Sequence, residues 1–247
     1  MDSNALWQLF DRVSDAVAAV VAGADLTASG ERPGQYRLDL DADAVAVTPL
    51  LDAGLGVLSE ESGRHGVGRD ITVVVDPVDG STNASRGLPC WATSLCAVDV
   101  GGALAATVVD HSRNVTYRAA RGRGATRQVG AGPLEPIAVA APVALADSVL
   151  AINGLSADRP ASWQFRALGS AAVELCLVAD GSLDGYINLD PDSHGAWDYL
   201  GALLVLAEAG GVALDRADRA LVTLDHAERR TIAASSCEAL LGEMMMR

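Results

Sequence analysis

Two carboxylates three residues apart, Asp76 and Asp79, sit in the stretch Asp76-Pro77-Val78-Asp79-Gly80-Ser81-Thr82-Asn83. The stretch directly follows the β-branched run Ile71-Thr72-Val73-Val74-Val75, which reads as a buried strand. Pro77 fixes one backbone angle and Gly80 permits unusual ones, so the turn can aim both carboxylates at one point. Like charges held together repel each other unless a cation sits between them. The amides of Gly80, Ser81 and Thr82 come next, and free amides at a helix start are where phosphate binds. The chemistry expected of this stretch is metal-assisted reaction at a phosphate.

Two further acids fit that chemistry. Glu60 follows a short strand, Gly56-Val57-Leu58-Ser59, and Asp198 opens a helix from Trp197 to about Ala209 that Gly210-Gly211 stops. Singly, each has a bland reading: Glu60 as a solvated loop charge, Asp198 as an acid favoured at the positive end of its helix. All four acids sit where a strand ends or a helix begins, which is where a fold can gather distant carboxylates.

The elements that must position them alternate along the chain. Leu6, Leu9, Phe10, Val13, Val17, Val20 and Val21 recur at helical spacing, with Ser3 as the cap and an end near Gly23. A polar connection from Thr27 to Gln35 leads to Arg37–Asp43, and a second helix is expected over Ala44–Leu55. Strands are expected over Thr93–Val100, Ala103–Val109 and Val115–Ala120, with a hairpin at Gly101-Gly102. Pro, Gly and Ala dominate Pro133–Pro142, a candidate joint that divides the chain into residues 1–134, with the metal-binding turn, and 135–247, with substrate-facing elements. Beyond it come strands at Ser148–Ile152, Gly185–Asn188, Val212–Leu214 and Thr231–Ala234, and a helix over Ala171–Ala179. The pattern suits a layered α/β sandwich rather than a barrel.

Composition narrows the function. The net charge of −14 lacks the basic footprint of a nucleic-acid surface. All 18 basic residues are arginine, so lysine chemistry (P-loop, Schiff base, kinase strand) is excluded. Cys90, Cys96, Cys176 and Cys237 lack C-x-x-C spacing and read as free thiols of a reducing cytosol. No apolar run approaches the roughly 18 residues of a membrane span. The expectation is a soluble, cytoplasmic protein with neither membrane nor nucleic acid as partner.

In order along the chain, Glu60-Glu61-Ser62, Asp76 to Asn83, Gly169-Ser170-Ala171-Ala172 and Trp197-Asp198 with Gly210-Gly211 resemble the motifs of the inositol monophosphatase-like, lithium-sensitive phosphatases. With Asp43 they span most of the chain. The resemblance implies a layered α-β-α-β-α fold like that of inositol monophosphatase and fructose-1,6-bisphosphatase, and a homodimer. It implies that Glu60, Asp76, Asp79, Asp198 and the carbonyl of Val78 bind two or three Mg²⁺ ions. A water activated there, with Glu60, Ser81 and Asp43 as catalytic groups, would hydrolyse a small phosphorylated metabolite. Asp79, Gly80, Ser81, Thr82, Gly169, Ser170, Ala171, Asn188 and Asp198 would face substrate. Ser81 stands where the family more often has threonine, and Asp43 is the best match to its aspartate partner. Asn188 stands where inositol phosphatases carry a glutamate, and the loop Leu189–His194 is longer than usual, so Asp190 or Asp192 is a candidate to replace that contact. His194 itself reads as a loop residue.

Inositol monophosphate is the expected substrate; histidinol phosphate, a sugar bisphosphate or a 3′-phosphonucleotide would use the same chemistry. Asp41-Ala42-Asp43-Ala44-Val45 also fits a haloacid-dehalogenase nucleophile motif, but the lysine that fold needs is absent. Asp39, Asp41 and Asp43 mimic an EF-hand start, but Ala44 and Leu50 replace its glycine and glutamate. A catalytically silent metal-binding scaffold is the alternative of a different class.

Overall fold

The computed structural model describes residues 1–25, 28–31, 35–157 and 159–246; part of the connection expected over Thr27–Gln35 lies outside them. Helices α1 (Ser3–Gly23) and α2 (Arg37–Asp52) form the first layer. The second is a sheet built from β1 (Gly56–Ser59), β2 (Gly63–His65) and β3 (Thr72–Asp79), then, after the short helix α3 (Ser81–Ser85), from β4 (Ala92–Asp99), β5 (Gly102–Asp110), β6 (Val115–Ala120), β7 (Ala125–Val129) and β8 (Leu134–Pro136). The chain then crosses to a second sheet, made of β9 (Val149–Asn153), β10 (Gln164–Arg166), β11 (Gly185–Asn188), β12 (Val212–Asp215) and β13 (Ile232–Ser235). Helices α4 (Ala171–Ala179) and α5 (Ala196–Glu208) lie between the sheets, and α6 (Glu238–Met245) covers the outer face of the second. The architecture is therefore the expected α-β-α-β-α sandwich.

The strand order is β2-β1-β3-β4-β5-β6-β7-β8 in the first sheet and β10-β9-β11-β13-β12 in the second. Burial explains the sequence patterns. In α1, Leu6, Leu9, Phe10, Val13, Val17 and Val21 are buried on one stripe, with the other face in solvent. Helices α4 and α5 are buried nearly all round because a sheet lies on each side, so they carry no amphipathic signal. Their side chains join both sheets in one continuous core, from Leu58 and Val74 to Ile232 and Ala234. The change of sheet falls at residues 137–148, within and just beyond the Pro/Gly/Ala-rich segment.

Three local expectations need correction. Asp2, not Ser3, caps α1, its carboxylate accepting the Ala5 amide at 2.9 Å. Helix α2 begins seven residues before the expected Ala44, because the Asp39 carboxylate accepts the Tyr36 amide (2.9 Å) and closes the helix start there. Asp39, Asp41 and Asp43 are therefore helical, and Asp41 pairs with Arg37 one turn away, which removes both the phosphoaspartate and the EF-hand readings. Finally, β3 does not stop before the DPVDG stretch but runs through it to Asp79.

Candidate active site

The run through Asp79 contains a β-bulge. Asp76 pairs with Ser94 and Asp79 with Ala92, so Pro77 and Val78 together oppose Thr93 alone. In a regular strand, residues three apart face opposite sides. The extra residue restores parity, and Asp76 and Asp79 reach the same side. The Val78 amide donates to Asp76 Oδ1 at 3.0 Å and the Thr93 hydroxyl to the Pro77 carbonyl at 2.9 Å, which hold the bulge from both sides. At Gly80, φ is +89°, and an added Cβ would come within 2.9 Å of the Cys90 carbonyl and 3.1 Å of the Gly169 carbonyl, so glycine is required twice over. Asn83 then ties the turn to the second sheet's side of the molecule, its amide donating to the carbonyls of Cys90 (2.8 Å) and Leu168 (2.7 Å).

One oxygen each from Glu60, Asp76 and Asp198 lies within 4.8 Å of the other two. They arrive from the end of β1, the parallel neighbour β3 and the first turn of α5. Burial, then the neighbouring charges of Asp198, Glu61 and Asp79, pushes Glu60 well above the usual carboxylate range. Burial, then Glu60, Asp79 and Asp198, does the same to Asp76. Three carboxylate oxygens at this spacing fit a hard cation that takes oxygen ligands.

Asp79 sits beside this triad and is pushed up to about 7, by burial first and Asp198 second. Its Oδ2 accepts the Ser170 hydroxyl (2.6 Å) and the Ala172 amide (2.7 Å) at the start of α4. Ser170 also caps that helix by accepting the Val173 amide. Asp198 accepts the Gly195 amide at 2.8 Å and meets His194 Nδ1 at 3.3 Å. His194 is buried, and its Nε2 bonds the Tyr186 hydroxyl at 2.6 Å, so it is more than a loop residue: it steadies Asp198. His226, from the β12–β13 connection, reaches the Glu60 carbonyl at 3.0 Å.

The sequence-derived catalytic set changes in one place. Asp43 is buried and accepts a hydrogen bond from Ser59 at the end of β1, not from Ser81. The motif match had selected Asp43, which the structure turns toward Ser59. Asp39, one turn earlier and also buried, lines a small cavity with Glu60, Glu61, Asp76, Pro77 and Val78. An acid three residues after a helix cap was the signal available for it. Asn188, expected to face substrate, is fully buried; its amide donates to the Ser193 hydroxyl and its carbonyl accepts the Asp190 amide, so it shapes the loop instead. Ser170 is likewise buried and turned to Asp79, whereas Gly169 is exposed.

A family model described as the inositol monophosphatase family matches residues 52–245. The chain belongs to this family. Among curated relatives, Nus factor SuhB of Salmonella typhimurium is 34% identical over 171 residues, covering 64% of this chain and 62% of that protein. The chain's match thus spans less than two thirds of the length of that relative. The fructose-1,6-bisphosphatase/inositol-1-monophosphatase of Thermococcus kodakarensis is 32% identical over 212 residues, covering 84% and 80%. Among solved structures, a Pyrococcus horikoshii protein described as having similarities to inositol-1 monophosphatase superposes with a TM-score of 0.83 at 24% identity, over 98% of this chain and 96% of its own. That likeness bears on the fold. No helix among the described residues is long and apolar enough to cross a membrane.

Proposed function

We propose that this protein is a Mg²⁺-dependent phosphomonoesterase of small phosphorylated polyols, with inositol monophosphate as its expected substrate. The observation that carries the reading is the gathering of Glu60, Asp76 and Asp198 oxygens within 4.8 Å, beside Asp79 and directly before the Gly80–Thr82 amides. Glu60, Asp76, Asp79, Asp198 and the Val78 carbonyl would hold two or three ions. Bound Mg²⁺ supplies charge neutralisation and Lewis-acid polarisation of the ester. The chain's own groups do the rest. The amides of Gly80, Ser81 and Thr82 bind phosphate oxygens. Ser81 and Glu60 orient the attacking water and accept its proton, and Asp39 takes the supporting role that the motif match had given to Asp43. Gly169 and Ala171 border the alcohol. Asp192 is held by Arg219 at 2.5 Å, so among the loop acids the exposed Asp190 is the candidate to meet a substrate hydroxyl.

Phosphate release from inositol 1-phosphate, histidinol phosphate, fructose 1,6-bisphosphate and adenosine 3′,5′-bisphosphate, with Mg²⁺ and with chelator, tests the reading. Release from inositol 1-phosphate that requires Mg²⁺ and falls as Li⁺ is titrated in is expected; no release from any ester would leave the metal-binding scaffold. Sedimentation in the same buffer tests the homodimer. The 34% identity to proteins named Nus factor SuhB supports a second reading, association with transcription machinery. The net charge of −14 points to a protein rather than nucleic acid as the partner there.

A further inference from the structure

The bulge that brings Asp76 and Asp79 to one side has a cost. At a bulge the regular ladder is broken, and a backbone group loses its strand partner. Here the Pro77 carbonyl is satisfied by a side chain, the hydroxyl of Thr93, at 2.9 Å. Thr93 is the single residue opposite the bulge and is fully buried. Its hydroxyl also meets His111 Nε2 at 2.9 Å, and the His111 ring stacks on Trp91 with centroids 4.4 Å apart and planes 19° from parallel.

A donor count fixes the direction of this chain of contacts. A carbonyl oxygen can only accept, so the one hydroxyl proton of Thr93 goes to Pro77. The hydroxyl must then accept from His111, which places the imidazole proton on Nε2. Burial holds His111 down at about 4, so the ring is neutral and that tautomer is a defined one. With the Pro77 carbonyl held by Thr93 and the Val78 amide held by Asp76, the peptide plane between them is fixed at both ends. Only the torsions of Val78 then remain to set its own carbonyl.

We propose that Thr93 and His111 are positioning residues that set the Pro77–Val78 peptide, and through it the Val78 carbonyl and the Asp76–Asp79 pair, for cation binding. The inference rests on the metal reading above and extends it to two residues that touch neither metal nor substrate.

Two measurements test it. In the metal-free protein, imidazole nitrogen and carbon resonances should report His111 as the Nε2–H tautomer; an Nδ1–H ring overturns the inference without any metal present. In calorimetric Mg²⁺ titrations, Thr93→Val should weaken binding about tenfold or more, the range for residues that orient metal ligands. Thr93→Ser, which keeps the hydroxyl, should stay near wild type. His111→Phe keeps the stack on Trp91 but cannot donate, and should weaken binding by a smaller factor; His111→Gln should restore it. Should Thr93→Val fail to fold, the two His111 variants decide. A wild type that binds Mg²⁺ while Thr93→Val or His111→Phe binds equally well overturns this inference alone. A wild type that binds no divalent cation overturns the metal reading as well.

Discussion

Glu60 and Asp76 reach the site from the end of β1 and from within its parallel neighbour β3, whereas Asp79, at the end of β3, and Asp198 reach it beside the first turns of α4 and α5. The difference is in what the fold offers a buried negative charge. A helix start presents unpaired amides and a positive dipole end. Asp79 accepts the Ala172 amide and the Ser170 hydroxyl there, and Asp198 accepts the Gly195 amide. Away from a helix start, Asp76 has the Val78 amide, and Glu60 and Asp76 are both pushed well above the usual carboxylate range, by burial first. One half of the site is therefore compensated by the protein, and the other half is left for a cation to compensate.

The largest effect that can break this comparison comes from Asp76→Asn. Removing a ligand carboxylate should lower Mg²⁺-dependent phosphate release by about a hundredfold or more. In the metal-free protein the same change removes a buried like charge, so the melting temperature should rise. Asp79→Asn should cost comparable activity but stabilise the metal-free protein less, since the helix start already offsets that charge. Equal gains in melting temperature for the two variants would end the distinction.

The pH dependence follows from the same asymmetry. An acid whose folded pKa lies above its unfolded value contributes stability that is present below the unfolded pKa and lost as pH rises through the folded one. Asp79 moves from 3.8 to about 7, and Glu60 and Asp76 are raised as well. The metal-free melting temperature should therefore fall between about pH 4 and 7. Saturating Mg²⁺ should flatten that fall, and binding should release protons, read as a dependence of calorimetric heat on buffer ionisation. Glu174, pushed up to about 8 by burial and accepting the Leu168 amide, should leave a residual slope that Mg²⁺ does not remove and Glu174→Gln does. A metal-free protein whose stability rises over this window would contradict the assignment.

How much of this was legible beforehand depends on whether the signal was local. Strand β11 and helix α4 occur where expected to the residue, because each is a short apolar run bounded by glycine or a capping serine. The acids Glu60, Asp76, Asp79 and Asp198 stood out because each read as lying where a strand ends or a helix begins, although β3 in fact continues past Asp76 to Asp79. The bulge was not legible: Pro77 and Gly80 read as a turn, and only the pairing with β4 shows a strand that continues. Nor were Thr93 and His111, which look like an ordinary strand residue and a hairpin-loop residue until the sheet sets them beside Pro77. The burial of Ser170 and Asn188 was hidden for a related reason. Motif position placed them near substrate, but the direction of a side chain is decided by tertiary neighbours.

Ser170→Ala probes the compensated half more gently. It removes both the N-cap of α4 and one donor to Asp79, and loss of a cap costs about 1 kcal/mol. For a chain of this size that corresponds to a drop of about 2–4 °C in melting temperature. The Asp79 carboxyl, having lost a bond that favours its charged form, should shift further above about 7, and the acid limb of the activity profile should move to higher pH. A lower melting temperature with an unmoved acid limb would make Ser170 a helix cap and nothing more.

The smallest effect expected is the one that separates Asp39 from Asp43. Both are buried acids on α2, one turn apart, and the match to the family's motif favoured Asp43. Asp43, however, spends its carboxylate on the Ser59 hydroxyl, at the end of the strand that delivers Glu60. Asp43→Asn keeps the size and an acceptor for that hydroxyl, so it should lower stability by about 1 kcal/mol, one hydrogen bond to a charged group weakened, and change turnover by less than about threefold. Asp39→Asn leaves the Tyr36 cap an acceptor as well, so it too should fold, yet it places a neutral amide in the cavity shared by Glu60 and Asp76. Turnover should then fall while the melting temperature barely moves. If Asp43→Asn were the variant that lost turnover, the assignment drawn from the cavity would be wrong and the one drawn from the motif match would stand.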